Sequence, residues 1–140
     1  MLLFARVHAS NESLLQQVAS DVFDRSIRAD WLENCLHEPA NMLLVAAENQ
    51  VVVGQLLATI QQHVDAPPAL YIDNLGVAPS HQRRGIARRL VQKATGIALA
   101  AGAREVWVVT EHENQAARAF YEDAGLTGRS AVVFEGQLPA

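Results

Sequence analysis

The chain has 140 residues, of which 50% are hydrophobic and 19% charged, a composition typical of one folded globular domain. Its formal charge of −4 argues against a nucleic-acid-binding protein, because such proteins are usually basic. The single cysteine, Cys35, excludes an intramolecular disulfide and a multi-cysteine zinc site, and the five histidines show no metal-ligand spacing. No apolar run approaches the roughly 20 residues of a membrane helix. We therefore expect a soluble, cytoplasmic single domain over residues 1–140, with no metal, membrane or nucleic-acid partner.

The first half of the chain predicts one strand, two helices and a hairpin of strands. Apolar residues recur at helical spacing from Asn11 to Phe23, which predicts an amphipathic helix. Asp30 is placed to cap a second, short helix that Pro39 ends. Strands are predicted over residues 2–9, 42–47 and 51–60, with a turn at 48–50.

The second half predicts strands that alternate with helices. A strand over residues 70–78 follows a proline-containing loop, and a helix begins after Gly85 and ends at Gly102. A continuous apolar run at 105–110 predicts a buried strand. A helix from Asn114 to Gly125 and a last strand over 130–138 complete a mixed α/β order.

Residues 75–87 join a strand to a helix through a short basic loop. Unpaired N–H groups and the helix dipole make a helix N-terminus an anion site, and the small residues Gly85 and Ala87 let a phosphate approach the backbone. Arg83 and Arg84 add positive charge. The loop is neither a Walker loop nor a dinucleotide fingerprint, because the required glycine patterns are absent. The alternative is that Gly85 only starts a helix and the arginines are solvated.

Two motifs in this half resemble those of the GNAT N-acetyltransferases. Residues 82–87, Gln-Arg-Arg-Gly-Ile-Ala, resemble the Gln/Arg-x-x-Gly-x-Gly/Ala motif of the family, and residues 114–126 resemble its second motif. The resemblance covers residues 42–126. Within the family the chain is most similar to the aminoglycoside 3-N-acetyltransferase branch, which tends to carry Tyr-Asp where this chain has Asp73-Asn74.

The resemblance implies a three-layer αβα fold with a mixed, largely antiparallel twisted sheet. It implies acetyl-CoA as the acetyl donor, held where the strands at 70–78 and 105–110 splay apart, with a bulge at Gly76. Backbone groups of Leu75 and Val77 would pair with the pantetheine arm, and the amides from Arg83 to Arg88 would hold the pyrophosphate. The implied cofactor-binding residues are Leu75, Gly76, Val77, Gln82, Arg83, Arg84, Gly85, Ile86, Ala87, Arg88, Asn114 and Tyr121.

Acetyl transfer from a thioester to a primary amine by direct attack sets three chemical requirements. The oxyanion needs a donor, which the resemblance assigns to the Val77 amide. The leaving thiolate gains from a proton donor, and Tyr121 matches the tyrosine of the family. The amine must lose a proton, for which Asp73, Glu111 and His112 are candidates.

Several of these residues also have a structural interpretation. Tyr121 can be a packing aromatic, and Asn114 can be a helix N-cap. Asp73 can be an exposed strand residue, although alternation would place it on the same face as Leu75 and Val77.

The acceptor implied by the resemblance is a small amine, aminoglycosides included, or a peptide amine. An aminoglycoside would need several carboxylates around it, for which Asp21, Asp24, Asp73 and Glu135 are candidates. The family resemblance also implies a homodimer in which the last strand reaches a partner. The alternative function is a non-catalytic GNAT-like module that binds acyl-CoA as a sensor or scaffold.

Overall fold

A computed structural model describes all residues from 1 to 140. The chain forms two compact units, residues 1–109 with the sheet and residues 110–140 with the last helix. The strands are β1 (Leu2–Arg6), β2 (Asn41–Glu48), β3 (Val51–Gln61), β4 (Ala69–Val77) and β5 (Glu105–Val108). The helices are α1 (Ala29–His37), α2 (Ile86–Ala100) and α3 (Gln115–Asp123), with 3₁₀ turns at Ala9–Gln16 and Pro79–His81. None of these helices is both long and apolar enough to cross a membrane.

The five strands form one sheet in the order β1-β2-β3-β4-β5. Neighbouring strands are antiparallel except β4 and β5, which are parallel and are connected through α2. The middle of β2 and most of β3 are buried on both faces, which explains why their sequences read as continuous apolar runs. The mixed, largely antiparallel sheet with helices is the predicted fold.

Contacts with the helices identify the two faces of the sheet. A Cβ added to Gly54 would meet Ile86 and Leu90 of α2, so we call this side the α2 face. On the other side, the Asn41 side chain donates to the Cys35 carbonyl at 3.2 Å and accepts from Thr59 Oγ1 at 2.9 Å. Because Cys35 belongs to α1, we call this side the α1 face.

The irregularity in β4 lies at Asp73 and not at Gly76, so the predicted bulge position is wrong. Gly76 pairs directly with Gln55 in a regular register. The register shifts between Leu57, which pairs with Asn74, and the next residue of β3, which pairs with Ile72. Asp73 is therefore the extra residue, and it reverses the alternation of side chains along the rest of β4.

The predicted helix over residues 11–23 does not form. After the 3₁₀ turn, residues 17–19 run beside β3, where Ala19 N–H donates to the Val52 carbonyl at 2.9 Å and Val52 N–H donates to the Gln17 carbonyl at 2.8 Å. β4 pairs with β3 only as far as Gly54, so Val52 would otherwise have unpaired backbone groups on this edge. Satisfying those groups favours an extended segment over a helix.

Three smaller predictions also differ from the structure. Residues 130–138 form no strand and are exposed, because a strand needs a neighbour to pair its backbone groups. β5 is half-exposed rather than buried, since it is an edge strand. The N-cap of α1 is Arg28, whereas Asp30 lies in the first turn and accepts a hydrogen bond from the Arg28 side chain at 2.7 Å.

Candidate active site

The parallel pairing of β4 with β5 ends at Ile72 and Val108. β4 continues to Val77 with β3 as its only neighbour, so one backbone edge of residues 73–77 is open. Ala78 N–H donates to the Val53 carbonyl at 2.8 Å, and backbone groups alternate in direction along a strand. The groups of Leu75 and Val77 therefore point toward the open edge.

Gln82 holds the end of this edge in place. Its side-chain Nε2 donates to the Val77 carbonyl at 3.2 Å, which shows that this carbonyl points away from β3. The hydrogen bond also ties the basic loop to the end of β4. The predicted cofactor residues in residues 75–88 are thus brought together within the first unit.

Gly76 lies against the irregular segment at residues 17–28. A Cβ added to Gly76 would stand 2.2 Å from the Val22 carbonyl oxygen, so a side chain cannot fit here without a backbone shift. Val22 itself is only 1% exposed. Gly76 thus permits close packing between β4 and this segment, where the sequence alone suggested a bulge.

The basic loop opens directly onto the N-terminus of α2. Gly85 has φ of 80° and is the N-cap, with no side-chain capping hydrogen bond. The first intrahelical hydrogen bond of α2 runs from Arg89 N–H to the Gly85 carbonyl at 3.1 Å, so the Ile86 and Ala87 amides of the first turn have no intrahelical acceptor. No atom lies within 4 Å of a Cβ added to Gly85. The predicted anion site therefore has both unpaired donors and open space.

The arginines around this N-terminus differ in their contacts. Arg84 lies 3.7 Å from Glu48 Oε2, and the Arg89 guanidinium stacks 4.0 Å above the Phe4 ring. Arg83 is exposed and has φ of 64°. Arg84 is exposed as well, so both arginines that the sequence predicted for this loop present their charge to solvent.

His81 and Glu48 form a contact that the sequence did not reveal. His81 Nε2 lies 2.9 Å from Glu48 Oε1, and Ser80 Oγ lies 2.8 Å from His81 Nδ1. The hydrogen bond from His81, aided by the charge of Arg84, lowers the pKa of the Glu48 carboxyl below its usual value. Sequence analysis treated Glu48 as a hairpin residue, because nothing local links it to a loop 33 residues away.

Asp73 is exposed, as expected for a strand residue at an open edge. Its carboxylate acts electrostatically on the Cys35 thiol of α1, adding to the burial that raises the pKa of that thiol. Leu75 instead pairs opposite Leu56, and Val77 opposite Gly54, on the α2 face. The prediction that Asp73 shares a face with Leu75 and Val77 is wrong, because the bulge at Asp73 interrupts the alternation.

A chain of hydrogen bonds links the irregular segment to the centre of the sheet. The Gln55 side chain is fully buried, and its Nε2 donates to the Val22 carbonyl at 3.2 Å and to Asn74 Oδ1 at 2.5 Å. Asn74 Nδ2 in turn donates to Asp24 Oδ2 at 3.2 Å. We call this the Gln55–Asn74–Asp24 chain. It brings one of the carboxylates predicted for the acceptor, Asp24, next to β4.

Two predicted site residues, Asn114 and Tyr121, belong to the second unit. Asn114 is the N-cap of α3, and its side chain accepts from Ala117 N–H at 3.0 Å. Tyr121 packs edge-on against Phe120 with ring centroids 5.0 Å apart, and burial raises the pKa of its hydroxyl above the usual value of 10.0. Tyr121 therefore stays protonated at neutral pH. Glu111 and His112 are exposed.

The chain is similar to known proteins in sequence and in fold. A model of the acetyltransferase (GNAT) family matches residues 8–126. The N-alpha-acetyltransferase 30 of Schizosaccharomyces pombe is 29% identical over 90 residues, which are 64% of this chain and 60% of that protein. The chain thus spans less than two thirds of the length of this curated relative.

Solved structures of similar fold include two aminoglycoside acetyltransferases. One, from an uncultured soil metagenomic sample in complex with trehalose, has a TM-score of 0.82 and 24% identity, covering 99% of this chain and 97% of its own. The other, AAC(6')-Iy in complex with the bisubstrate analogue CoA-S-monomethyl-acetylneamine, has a TM-score of 0.81 and 19% identity, covering 99% of both chains. At these identities the likeness establishes the fold.

The chain belongs to the GNAT acetyltransferase family, because the family model covers most of its length. This confirms the family that the two sequence motifs predict. Among the structural neighbours, the aminoglycoside acetyltransferase AAC(6')-Iy is named for the 6' type, whereas the sequence motifs resemble the 3-N branch.

Proposed function

We propose that this chain is an acetyl-CoA-dependent N-acetyltransferase that acts on a primary amine of a small molecule, with peptide amines as the second acceptor class. The observation that carries the proposal is the open edge of residues 73–77, which leads to the Ile86 and Ala87 amides that have no intrahelical acceptor at the start of α2. Nothing in the structure or among the relatives favours the non-catalytic module.

Acetyl-CoA fits this edge because its pantetheine arm has amide groups that can pair with a strand, and its pyrophosphate needs N–H donors. Leu75 and Val77 present backbone groups at the edge. A Cβ added to Gly85 meets open space, and in this proposal the amides from Arg83 to Arg88 hold the pyrophosphate there. Ile86 is buried and fixes the first turn of α2 against the sheet. The chemistry that the cofactor supplies is an activated thioester carbonyl.

The chain supplies three groups to the reaction in this proposal. The Val77 N–H stabilises the oxyanion, and Asp73 accepts a proton from the amine directly or through water. Tyr121 donates a proton to the leaving thiolate, since its hydroxyl is protonated at neutral pH. Asn114 adds a polar contact to pantetheine beside its capping role.

We further propose a single GNAT domain over residues 1–140 that works in the cytoplasm, where acetyl-CoA is available, and forms a homodimer. Exposed apolar side chains after residue 130 support a dimer contact: Val132, Val133, Phe134 and Leu138 are each more than half exposed. Light scattering measures the mass, and a monomer at micromolar concentration would contradict the dimer.

The direct test is release of free CoA thiol from acetyl-CoA with a panel of aminoglycosides, polyamines, amino acids and N-terminal peptides. We expect turnover with at least one amine of the panel. Tight acetyl-CoA binding without turnover on any amine would favour the non-catalytic module instead.

The variant Tyr121→Phe tests the proton donor. We expect kcat to fall about 100-fold or more, with little change in acetyl-CoA affinity, because the ring remains and only the hydroxyl is lost. Phe120→Leu is the matched control, since it alters packing beside Tyr121 and keeps the hydroxyl. Equal kcat in Tyr121→Phe and the wild type would make Tyr121 a packing residue.

A further inference from the structure

In the Gln55–Asn74–Asp24 chain, the donor and the acceptor of each hydrogen bond can be assigned in only one way. The Val22 carbonyl at one end and the Asp24 carboxylate at the other are both acceptors, so each requires an N–H donor. Asn74 must therefore turn its amide nitrogen toward Asp24 and its oxygen toward Gln55, and Gln55 must supply both of its N–H groups. The orientation of the Asp24 carboxylate is consequently fixed from inside the sheet.

Packing alone does not explain the buried amide of Gln55. Its Oε1 has no hydrogen-bond partner although the residue is fully buried, and such an unsatisfied carbonyl destabilises a fold. An apolar side chain at this position would pack on the same face of the sheet without the cost of an unsatisfied buried carbonyl. What the amide adds is its hold on Asn74 and on the Val22 carbonyl.

The chain ends at an accessible carboxylate beside the open edge of β4. Asp24 is exposed, and only its Oδ2 accepts a hydrogen bond from the protein. It also lines a groove of about 470 Å³ formed by residues 15–27. Asn74 lies three residues before Val77 on β4, a distance of about 10 Å along a strand.

We infer that Asp24 binds a non-reacting ammonium group of the acceptor, with Asn74 and Gln55 as positioning residues. Asp73 is assigned to the reacting amine, which must lose its proton before it attacks the thioester. The Asp24 carboxylate suits a second amine that keeps its charge. The inference rests on the proposed function and narrows its acceptors to amines with a second cationic group about 10 Å from the first.

The experiment compares linear α,ω-diamines of four to eight carbons with monoamines of equal length, using the full chain. Asp24→Asn removes the charge, whereas its side-chain oxygen can still accept from Asn74 and keep the segment in place. Asp65→Asn is the matched control, because Asp65 is an exposed aspartate in the loop between β3 and β4. Asp24→Glu restores the charge on a longer side chain.

We expect the wild type to prefer diamines over monoamines in KM by about 10-fold or more, as for a hydrogen bond to a charged group. Asp24→Asn should abolish this preference with the KM for acetyl-CoA unchanged, Asp24→Glu should restore part of it, and Asp65→Asn should keep it. Asn74→Ala should reduce it less than Asp24→Asn does, because the charge remains.

Binding of the diamines in the presence of CoA, measured by calorimetry, separates this inference from the proposed function. If monoamines and diamines are acetylated with equal KM, or if the preference survives in Asp24→Asn, the inference is wrong and the acetyltransferase stands. If no amine is acetylated, the proposed function fails. Absence of a diamine preference in binding would overturn the inference whatever the turnover.

Discussion

Residues 69–102 and residues 17–28 meet at Gly76 and Val22, yet different interactions shape them. The first region, β4 to α2, is built from hydrogen bonds within strands and helices. The second is irregular and depends on partners more than 30 residues away, such as Val52 and Gln55. Regular elements carry their pattern in the local sequence, whereas a segment held by distant backbone groups does not.

The two regions also suit the two different reactants of the proposed reaction, the cofactor and the acceptor amine. The β4–α2 region presents backbone donors, which suit a cofactor with phosphates and amides. The irregular segment presents side-chain carboxylates, which suit a cationic acceptor. Four variants test whether the two regions act independently.

The largest effect is expected for Gly76→Ala, which breaks the contact between the regions. The new Cβ would stand 2.2 Å from the Val22 carbonyl oxygen, so backbone must move, at a cost of about 1–3 kcal/mol in the free energy of unfolding. Gly96→Ala is the control, because a Cβ at Gly96 on α2 meets no atom within 4 Å. We expect Gly96→Ala to raise the free energy of unfolding by about 0.5–1 kcal/mol, measured by denaturant unfolding. Equal stability of the two variants would contradict the close packing.

Asp73→Asn tests the acceptor side without touching the cofactor loop. We expect kcat/KM for the amine to fall about 10-fold or more, because the proton acceptor is lost, with the KM for acetyl-CoA unchanged. Part of the loss should be recovered at higher pH, where more of the amine is unprotonated. Unchanged kinetics with an identified acceptor would make Asp73 only an exposed strand residue.

Gly85→Asp tests the cofactor side. A carboxylate above the unpaired amides of α2 opposes an incoming phosphate, so we expect acetyl-CoA affinity to fall about 10-fold in calorimetry. Gly85→Asn carries a similar strain at φ of 80° without the charge. A similar loss in both variants would mean that backbone conformation, and not charge, is responsible.

The smallest effect is expected for Glu48→Gln, beside the basic loop. Because the pKa of Glu48 is lowered in the folded state, its ionised form stabilises the fold above its ordinary value of 4.5 and this stabilisation is lost as pH falls through the lowered pKa. We expect Tm to drop by about 1–3 °C at neutral pH. The difference should vanish in more acidic buffer, and a constant difference would contradict the role of ionisation.

Sequence reasoning predicted the strand β4 and the start of α2 after Gly85, and it offered Asn114 as the N-cap of α3, because caps and turns depend on nearby residues. It missed the bulge at Asp73, since register depends on how β4 meets β3. It also missed His81 and Glu48, which only the fold brings together. The helix predicted from residue 11 failed because residues 17–19 run extended and pair with the backbone of Val52.

An aromatic pair lies where β4 and β5 are still hydrogen-bonded to each other, and it makes the pairing of these strands observable by fluorescence. Tyr71 and Trp107 stack with centroids 4.3 Å apart, and Trp107 Nε1 donates to Gln61 Oε1 at 2.9 Å. Trp107 is one of two tryptophans and is 44% exposed. Its fluorescence therefore reports on the spacing of β4 and β5. Replacing Trp31 with Phe would leave Trp107 as the single tryptophan, whose emission then follows that spacing over time.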